Sequence, residues 1–236
     1  MTPNEPIETQ LTCGPFAILE SIGRGGMGEV YRARHRRDRT EVALKVLLPE
    51  KAREERYKRE FRAEVAALAR LNHPGIATIY DYGFVSDPTA EAGPDPLIAG
   101  APWLAMEMID GKPLRKAARS WSWPELESCL LALLDALAHA HSNDVIHRDL
   151  KSTNILVDDA GERPRLVDFG IAAVFDELRA TERAEFADGV RGTPEYMAPE
   201  QILGKERDHG PPTDLYALGC LVWQILCGEP PSTGKE

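Results

Sequence analysis

The sequence His-Arg-Asp-Leu-Lys-Ser-Thr-Asn at residues 147–154 says more about this chain than any other stretch. It follows a leucine-rich segment with helical spacing, so we expect it in a loop that a rigid scaffold presents. In such a loop Asp149 is suited to orient and deprotonate a hydroxyl group, and Lys151 can neutralise a phosphoryl group in transfer. Asn154 offers a neutral oxygen to Mg²⁺. The stretch therefore predicts chemistry on a phosphoryl group.

A second carboxylate, Asp168, begins the triplet Asp-Phe-Gly at residues 168–170. It is predicted at the end of a strand, before a glycine hinge. Asn154 and Asp168 together make an oxygen-rich site for a hard cation, and no His or Cys cluster accompanies them to suggest zinc. We therefore predict that these two residues are metal ligands.

Two motifs in the N-terminal part of the chain point to phosphate binding. Glycines recur in residues 23–30, Gly-Arg-Gly-Gly-Met-Gly-Glu-Val, between two predicted strands. Backbone N–H groups of such a loop can approach phosphate oxygens, although a plain structural turn fits this stretch equally well. In Val-Ala-Leu-Lys at residues 42–45, strand alternation places Ala43 and Lys45 on one face. Lys45 then either binds phosphate or is a surface lysine with a buried stem.

A predicted helix at residues 51–71 supplies a possible partner for Lys45. Phe61, Val65 and Leu68 have helical spacing, and Glu64 lies on the same apolar stripe. A carboxylate facing a core is unfavourable unless it is paired with a cation. We therefore predict an ion pair between Glu64 and Lys45.

Composition excludes several functional classes. The 236 residues carry 38 acidic and 28 basic side chains, a net charge of −10, which disfavours general binding to nucleic acid or anionic membranes. No apolar run is long enough for a membrane span, and the N-terminus lacks a signal-peptide pattern. The four cysteines are scattered, which favours core packing in a reducing, cytoplasmic setting.

Apolar periodicity predicts the following elements. Strands are expected in residues 16–30, 41–48, 76–85 and 103–109, a basic turn at 32–39, and a surface loop or insertion at 86–102. Helices are expected at 122–141, beginning with a capping box at Ser122, and at 200–227. Residues 214–227 are apolar almost all round, which predicts burial on every side. The basic turn fits a solvated hairpin tip better than a docking patch for an anionic partner.

Taken together, the motifs resemble those of the protein kinases in order and spacing. The resemblance rests on the glycine-rich stretch with Val30, the Val-Ala-Leu-Lys strand, residues 147–154, Asp-Phe-Gly, and Ala-Pro-Glu at residues 198–200. Residues 192–200, Gly-Thr-Pro-Glu-Tyr-Met-Ala-Pro-Glu, and Lys151 are similar to the Ser/Thr branch, in its bacterial eukaryotic-like form. The resemblance covers roughly residues 16–231.

The resemblance implies roles for individual residues. Asp149 is expected as catalytic base, with Lys151, Thr193 and the Lys45–Glu64 pair in the catalytic machinery, and Asn154 and Asp168 on Mg²⁺. Met106 is expected as gatekeeper, with the Glu107 carbonyl and the Ile109 amide on the adenine edge. The other expected nucleotide-binding residues are Ile22, Gly23, Gly25, Gly26, Gly28, Val30, Ala43 and Leu156.

The resemblance also implies how the protein is regulated and what is missing after the last predicted helix. Arg148 resembles an arginine that pairs with a phosphorylated activation loop, and Thr181 is either that phosphorylation site or an ordinary solvated threonine. In the family, further helices follow the one expected at 214–227 and supply an arginine to Glu200. We therefore expect a fragment of a longer protein, with Glu200 lacking its ion-pair partner and helix 214–227 left partly uncovered.

The sequence thus predicts an α+β, two-lobed protein-kinase-like fold lacking its last helices. A leader at 1–15 precedes a small antiparallel-sheet lobe with one helix at 16–109, and a mainly helical lobe follows at 110–236. The implied function is transfer of the γ-phosphoryl group of Mg-ATP to Ser or Thr of a protein substrate, in the cytoplasm. A membrane anchor outside the chain and dimer formation are left open. The alternatives are a pseudokinase scaffold and a small-molecule phosphotransferase.

Overall fold

The computed structural model describes residues 11–25, 28–47, 55–86, 99–158, 163–169 and 194–231. These residues divide into two units. The first comprises the described residues up to Arg62 together with Ile79–Met108. The second comprises Ala63–Thr78 together with the described residues from Ile109 onward.

A six-stranded antiparallel sheet forms most of the first unit, with strands in the order β1-β2-β3-β4-β6-β5. The strands are β1 (Thr12–Cys13), β2 (Phe16–Gly25), β3 (Gly28–His35), β4 (Glu41–Leu47), β5 (Ile79–Phe84) and β6 (Pro102–Glu107). The predicted basic turn at 32–39 is wrong in its first half, because Arg32–His35 belongs to β3. Arg34 pairs there with Glu41 at 2.6 Å across the β3–β4 ladder, and Ala33 between the arginines is fully buried.

The two faces of this sheet have different characters, because side chains alternate along each strand. One face carries a buried apolar cluster made of Cys13, Phe16, Tyr31, Ala33, Val42, Leu44, Val46, Val85, Ala101, Trp103 and Ala105. The register pairs Tyr31 with Leu44 and Val46 with Trp103 on this face. The intervening residues, which include Lys45, therefore lie on the opposite face.

Helix α1 (Glu55–Leu68) confirms the helix predicted from the apolar stripe. Phe61, Val65 and Leu68 are buried, as the spacing predicts. Within the first unit, the Phe61 ring packs edge-on against Tyr82 and Phe84, with centroids 6.2 and 5.6 Å away. The helix is therefore held to β5 by aromatic contacts.

The second unit combines a small sheet with helices. Strands β7 (Gly111–Pro113), β8 (Ile155–Asp158) and β9 (Pro164–Leu166) form a three-stranded antiparallel sheet. The helices are α2 (Leu114–Ala117), α3 (Trp123–Ser142), α4 (Pro199–Ile202) and α5 (Pro211–Cys227). Ser122 is the N-cap of α3, and its N–H donates to Glu125 Oε2 at 2.6 Å, which confirms the predicted capping box.

The continuous helix predicted at 200–227 is wrong, because the segment forms two helices. Helix α4 ends before Gly204, whose φ of +64° a helix cannot contain, and α5 restarts at Pro211, a residue suited to the first turn. Helix α5 is partly uncovered, which confirms the second expectation for residues 214–227 and contradicts burial on every side. The helix buries Leu218 and Leu221, while Trp223 and Leu226 are 53% and 59% exposed.

Candidate active site

One half of the predicted site lies on the sheet face opposite the apolar cluster. The register pairs Val30 with Lys45, Lys45 with Leu104, and Ala43 with Met106. Directly paired residues of antiparallel strands share a face, so four predicted nucleotide-binding residues, Val30, Ala43, Lys45 and Met106, lie together. Lys45 is only 9% exposed. A lysine this buried is unlike the surface lysine that the sequence left as an alternative.

The glycines at the end of β2 and the start of β3 fall into two kinds. A Cβ at Gly28 would lie 2.1 Å from the Val46 carbonyl oxygen, and its φ of +151° is one that other residues rarely adopt. Gly28 is therefore required by the protein's own backbone. In contrast, a Cβ at Gly23 or Gly25 would meet no atom of the described residues within 4 Å. Open space beside these two backbones leaves room for a ligand to approach them closely.

The remaining predicted nucleotide-binding residues occupy separate places. Ile22 lies on β2 and is 48% exposed, and Glu107 ends β6 with Ile109 two residues later. Leu156 lies on β8 in the second unit. Their contacts with adenine stay predictions.

The other half of the predicted site is the loop that ends in a 3₁₀ turn at Ser152–Asn154. Lys151 Nζ donates to Asp149 Oδ2 at 2.8 Å. Asn154 Nδ2 donates to the same oxygen at 3.1 Å and to the Asp149 carbonyl oxygen at 2.8 Å. The structure thus brings together the three residues that the sequence singled out first. Two donors on one oxygen hold the Asp149 carboxylate in a fixed direction.

Asp214, which the sequence analysis did not identify, supports this loop from α5. It is 1% exposed, and it accepts hydrogen bonds from the His147 and Arg148 backbone N–H groups, both at 2.8 Å. The third donor is His141 Nε2 at 2.7 Å, which carries a proton because a carboxylate only accepts. A lone acidic residue at the start of an apolar helix was the available signal for this role.

His147 fixes the loop through both of its ring nitrogens. Nε2 donates to the Val167 carbonyl oxygen at 3.1 Å, and Nδ1 faces the Asp149 N–H at 3.4 Å. The ring also packs on Phe169 at 4.6 Å between centroids. Burial lowers the pKa of His147 below its ordinary value, against the attraction of the Asp214, Asp149 and Asp168 carboxylates. The imidazole is therefore neutral at pH 7, with its proton on Nε2.

Asp168 follows β9 and is brought to the loop by its neighbour. The Val167 N–H donates to the Asn154 carbonyl oxygen at 3.0 Å, which joins the two predicted metal ligands through their backbones. Asp168 has a φ of +59°, a left-handed conformation in which a non-glycine residue is strained. Backbone strain of this kind clusters at functional sites.

The donor set fits a hard divalent cation. Asn154 is 5% exposed and uses its amide nitrogen on Asp149, so its Oδ1 is the side-chain atom that could contact a cation. Together with the Asp168 carboxylate this supplies oxygen ligands, the type that Mg²⁺ prefers. No cluster of three or more His, Cys, Asp or Glu suited to a metal occurs among the described residues.

Glu200 has a partner that the sequence did not predict. The Thr213 hydroxyl at the start of α5 donates to Glu200 Oε1 at 2.6 Å, and the Gly210 N–H donates to the Thr213 oxygen at 3.1 Å. The Thr213 hydrogen bond lowers the pKa of Glu200. Glu200 therefore has a hydroxyl as hydrogen-bond partner at the place where the family's ion pair was expected to lack its arginine.

Several predicted residues are not placed in this arrangement. Gly26, Thr181 and Thr193 lie outside the described residues. Lys45 and Glu64 fall in different units, and their ion pair stays a prediction. Within the residues described, no helix has the length and apolar content that a membrane span requires.

Comparison with known proteins decides the family. The sequence profile described as "Protein kinase domain" matches residues 16–236. The chain belongs to the protein kinase family. The α+β kinase fold expected from the sequence, with its sheet lobe and helical lobe, is confirmed, and family membership implies ATP as phosphoryl donor with a divalent metal.

Bacterial serine/threonine kinases are among the curated relatives of this kinase domain. It is 36% identical over 97% of its length to the "Probable serine/threonine-protein kinase PknB" of Bifidobacterium longum, covering 32% of that protein. It is 38% identical over 96% of its length to the "DNA damage-responsive serine/threonine-protein kinase RqkA" of Deinococcus radiodurans, also covering 32%. For the "Serine/threonine-protein kinase PknB" of Mycobacterium tuberculosis H37Rv the identity is 37% over 94%, covering 34%. The chain thus spans about a third of the length of these relatives.

Proposed function

We propose that this chain is the catalytic domain of a bacterial serine/threonine protein kinase. It transfers the γ-phosphoryl group of Mg-ATP to a Ser or Thr hydroxyl of a protein substrate. The observation that carries the proposal is the Asp149 carboxylate, held by Lys151 and Asn154 within a loop that Asp214 anchors. Such a carboxylate is held in a fixed direction, as the proton acceptor of the reaction must be.

The acceptor hydroxyl is oriented by Asp149, which takes its proton as the phosphoryl group is transferred. Lys151, 2.8 Å from Asp149, also places a positive charge where negative charge develops. Both residues sit on a loop whose backbone is pinned, so little reorganisation accompanies the reaction. Positioning and charge neutralisation are the main requirements of phosphoryl transfer.

The nucleotide is bound by the sheet face and the glycine loop. Lys45 pairs with the α- and β-phosphates and is held by Glu64, while backbone N–H groups near Gly23 and Gly25 approach the phosphates. Ile22, Val30, Ala43, Met106 and Leu156 enclose the adenine. The support for this is the shared face of Val30, Ala43, Lys45 and Met106 and the open space beside the two glycines.

The proposal also includes the metal site, the choice of acceptor, regulation and the two lobes. Asn154 and Asp168 hold Mg²⁺, which when bound neutralises phosphate charge. Thr193 contributes to acceptor choice, Arg148 pairs with a phosphorylated Thr181, and residues 16–109 and 110–236 are the nucleotide-binding and catalytic lobes. The setting is cytoplasmic, and the substrate is a protein rather than a nucleic acid.

The test is phosphoryl transfer from γ-labelled ATP with Mg²⁺ to peptides that each carry one Ser or Thr, with Ala-substituted peptides as acceptor controls. Asp149→Asn should lower kcat by about 10²- to 10⁴-fold, since it removes the proton acceptor. ATP affinity should stay within about twofold, because Asp149 does not bind the nucleotide. Asp144→Asn is the matched control: Asp144 is exposed, and asparagine tolerates its φ of +59°.

Three results would contradict the proposal. Equal label incorporation by wild type and Asp149→Asn would indicate a scaffold that binds ATP without catalysis. Labelling of aminoglycosides or sugars in place of peptides would indicate a small-molecule phosphotransferase. Labelling of the Ala-substituted peptides would show that Ser and Thr are not the acceptors.

A further inference from the structure

The peptide group that joins Arg148 to Asp149 is held from both sides. Its N–H, which belongs to Asp149, donates to the His147 carbonyl oxygen at 2.8 Å. Its C=O, which belongs to Arg148, accepts a hydrogen bond from Gln201 Nε2 at 2.7 Å. The orientation of this peptide sets the backbone from which the Asp149 side chain projects.

Arg148 itself is in a conformation that needs such support. Its φ is +61°, in the left-handed region that arginine rarely adopts. Strained residues persist only where the surrounding contacts determine the backbone. Asp214 Oδ1 secures the N–H of Arg148 at 2.8 Å, and Gln201 secures its C=O. The two contacts come from different helices, α5 and α4.

Gln201 uses both ends of its amide. Its Oε1 accepts the Ala198 N–H at 3.1 Å, which caps the first turn of α4, while its Nε2 reaches Arg148. Ala198 is completely buried, so the cap is fixed in the core of the unit. The side chain therefore joins the segment Ala198–Ile202 to the catalytic loop, 53 residues away in sequence. A glutamine is suited to this because one group donates while the other accepts.

We infer that Gln201 is a positioning residue for the proposed phosphoryl transfer: its amide orients the Arg148–Asp149 peptide and thereby the Asp149 carboxylate. This inference rests on the proposed function for its catalytic consequence, but the structural coupling does not depend on activity. Because Gln201 touches neither the acceptor nor the nucleotide in this account, it acts through Asp149 alone.

Gln201→Glu separates the two ends of the amide. A carboxylate keeps the acceptor for Ala198 but presents an unprotonated oxygen to the Arg148 carbonyl, so only the catalytic-loop contact is lost. We expect kcat to fall about tenfold near pH 7.5, with the KM for ATP changed less than about twofold. As the pH falls, a protonated glutamate can donate to Arg148 again. The kcat of the variant relative to wild type should then rise as the pH is lowered toward about 4.5, near the ordinary glutamate pKa of about 4.3.

Two further variants make the result specific. Gln201→Met cannot donate at any pH, so its kcat should be low without the relative rise at acidic pH. Gln224→Glu is the matched control, because Gln224 is buried in the same unit and accepts from the Tyr196 hydroxyl. Its side-chain hydrogen-bond partner among the described residues is Tyr196 and not the catalytic loop, so the kcat of Gln224→Glu relative to wild type should show no rise at acidic pH.

Amide hydrogen exchange gives a readout that is independent of catalysis. In Gln201→Glu at neutral pH, the amides of Arg148 and Asp149 should exchange about tenfold faster than in wild type. The Ala198 amide, whose acceptor is kept, should change little. If wild type shows no transfer but exchange is accelerated as described, the proposed function fails and the coupling stands. Unchanged exchange at Arg148 and Asp149, or full kcat in Gln201→Glu at neutral pH, would overturn the inference.

Discussion

The sheet face around Lys45 and the loop around Asp149 are built by opposite means. Strand register places the side chains of the sheet face. Beside Gly23 and Gly25 the described residues leave open space. The loop is arranged by hydrogen bonds from side chains distant in sequence, among them Asp214 and Gln201. Most single substitutions leave the pairing of the strands unchanged. In contrast, the loss of any one side chain of the hydrogen-bond network changes the geometry of the loop. The two halves should therefore respond differently to mutation.

The glycine loop offers the sharpest contrast, with the largest expected effect. Gly28→Ala places a Cβ against the Val46 carbonyl oxygen and should lower the free energy of unfolding by about 2–4 kcal/mol. Gly25→Ala meets open space, so its free energy of unfolding should stay within about 0.5 kcal/mol of wild type. Its KM for ATP should rise about tenfold, because the added methyl group occupies the ligand's approach.

Urea denaturation of both glycine variants, combined with steady-state kinetics, checks this prediction. Equal loss of stability in Gly25→Ala and Gly28→Ala would show that the space beside Gly25 is not open. An unchanged KM for ATP in a stable Gly25→Ala variant would show that the nucleotide does not bind beside Gly25.

A smaller effect should distinguish the loop by its response to pH. Burial lowers the pKa of His147, so the folded protein keeps this ring neutral at a pH where the unfolded chain, with an ordinary pKa of 6.5, already binds a proton. The contribution of His147 to stability is therefore full above about pH 6.5 and is lost as the pH falls toward the lowered value. His147→Gln keeps a donor for Val167 but cannot titrate. Its free energy of unfolding should decrease less than that of wild type between about pH 7.5 and 5.5.

Denaturation midpoints of the two proteins across that range give the comparison. The other titrating groups are the same in both, so their effects cancel in the difference between the two profiles. If the free energies of unfolding of wild type and His147→Gln changed equally with pH, the fold would not keep His147 neutral.

The sequence predicted the sheet face well because alternation is a local property. Alternation places Lys45 and Ala43 on one face of their strand. Once the strands are paired, Val30 and Met106 lie on that same face. The sequence also indicated that Asp149, Lys151 and Asn154 lie together, since these residues fall within a stretch of six and are joined by hydrogen bonds.

The support of the loop could not be predicted in the same way. Asp214 lies 66 residues after Arg148, and nothing in the local pattern shows that its carboxylate accepts from that backbone. Gln201 and Thr213 likewise gain their roles only when α4 and α5 pack beside the loop. The break between these helices was missed because apolar periodicity outweighed Gly204 and Pro211 in the prediction.

The central claim is that the strand-borne Lys45 and the loop-borne Asp168 hold one Mg-ATP. Isothermal titration calorimetry of ATP, with and without Mg²⁺, tests it directly on wild type, Lys45→Met and Asp168→Asn. We predict a single site, weakened about tenfold or more by Lys45→Met whether or not Mg²⁺ is present. Asp168→Asn should abolish the dependence of affinity on Mg²⁺ and leave metal-free binding unchanged. Full Mg²⁺ dependence in Asp168→Asn, or wild-type affinity in Lys45→Met, would contradict the account.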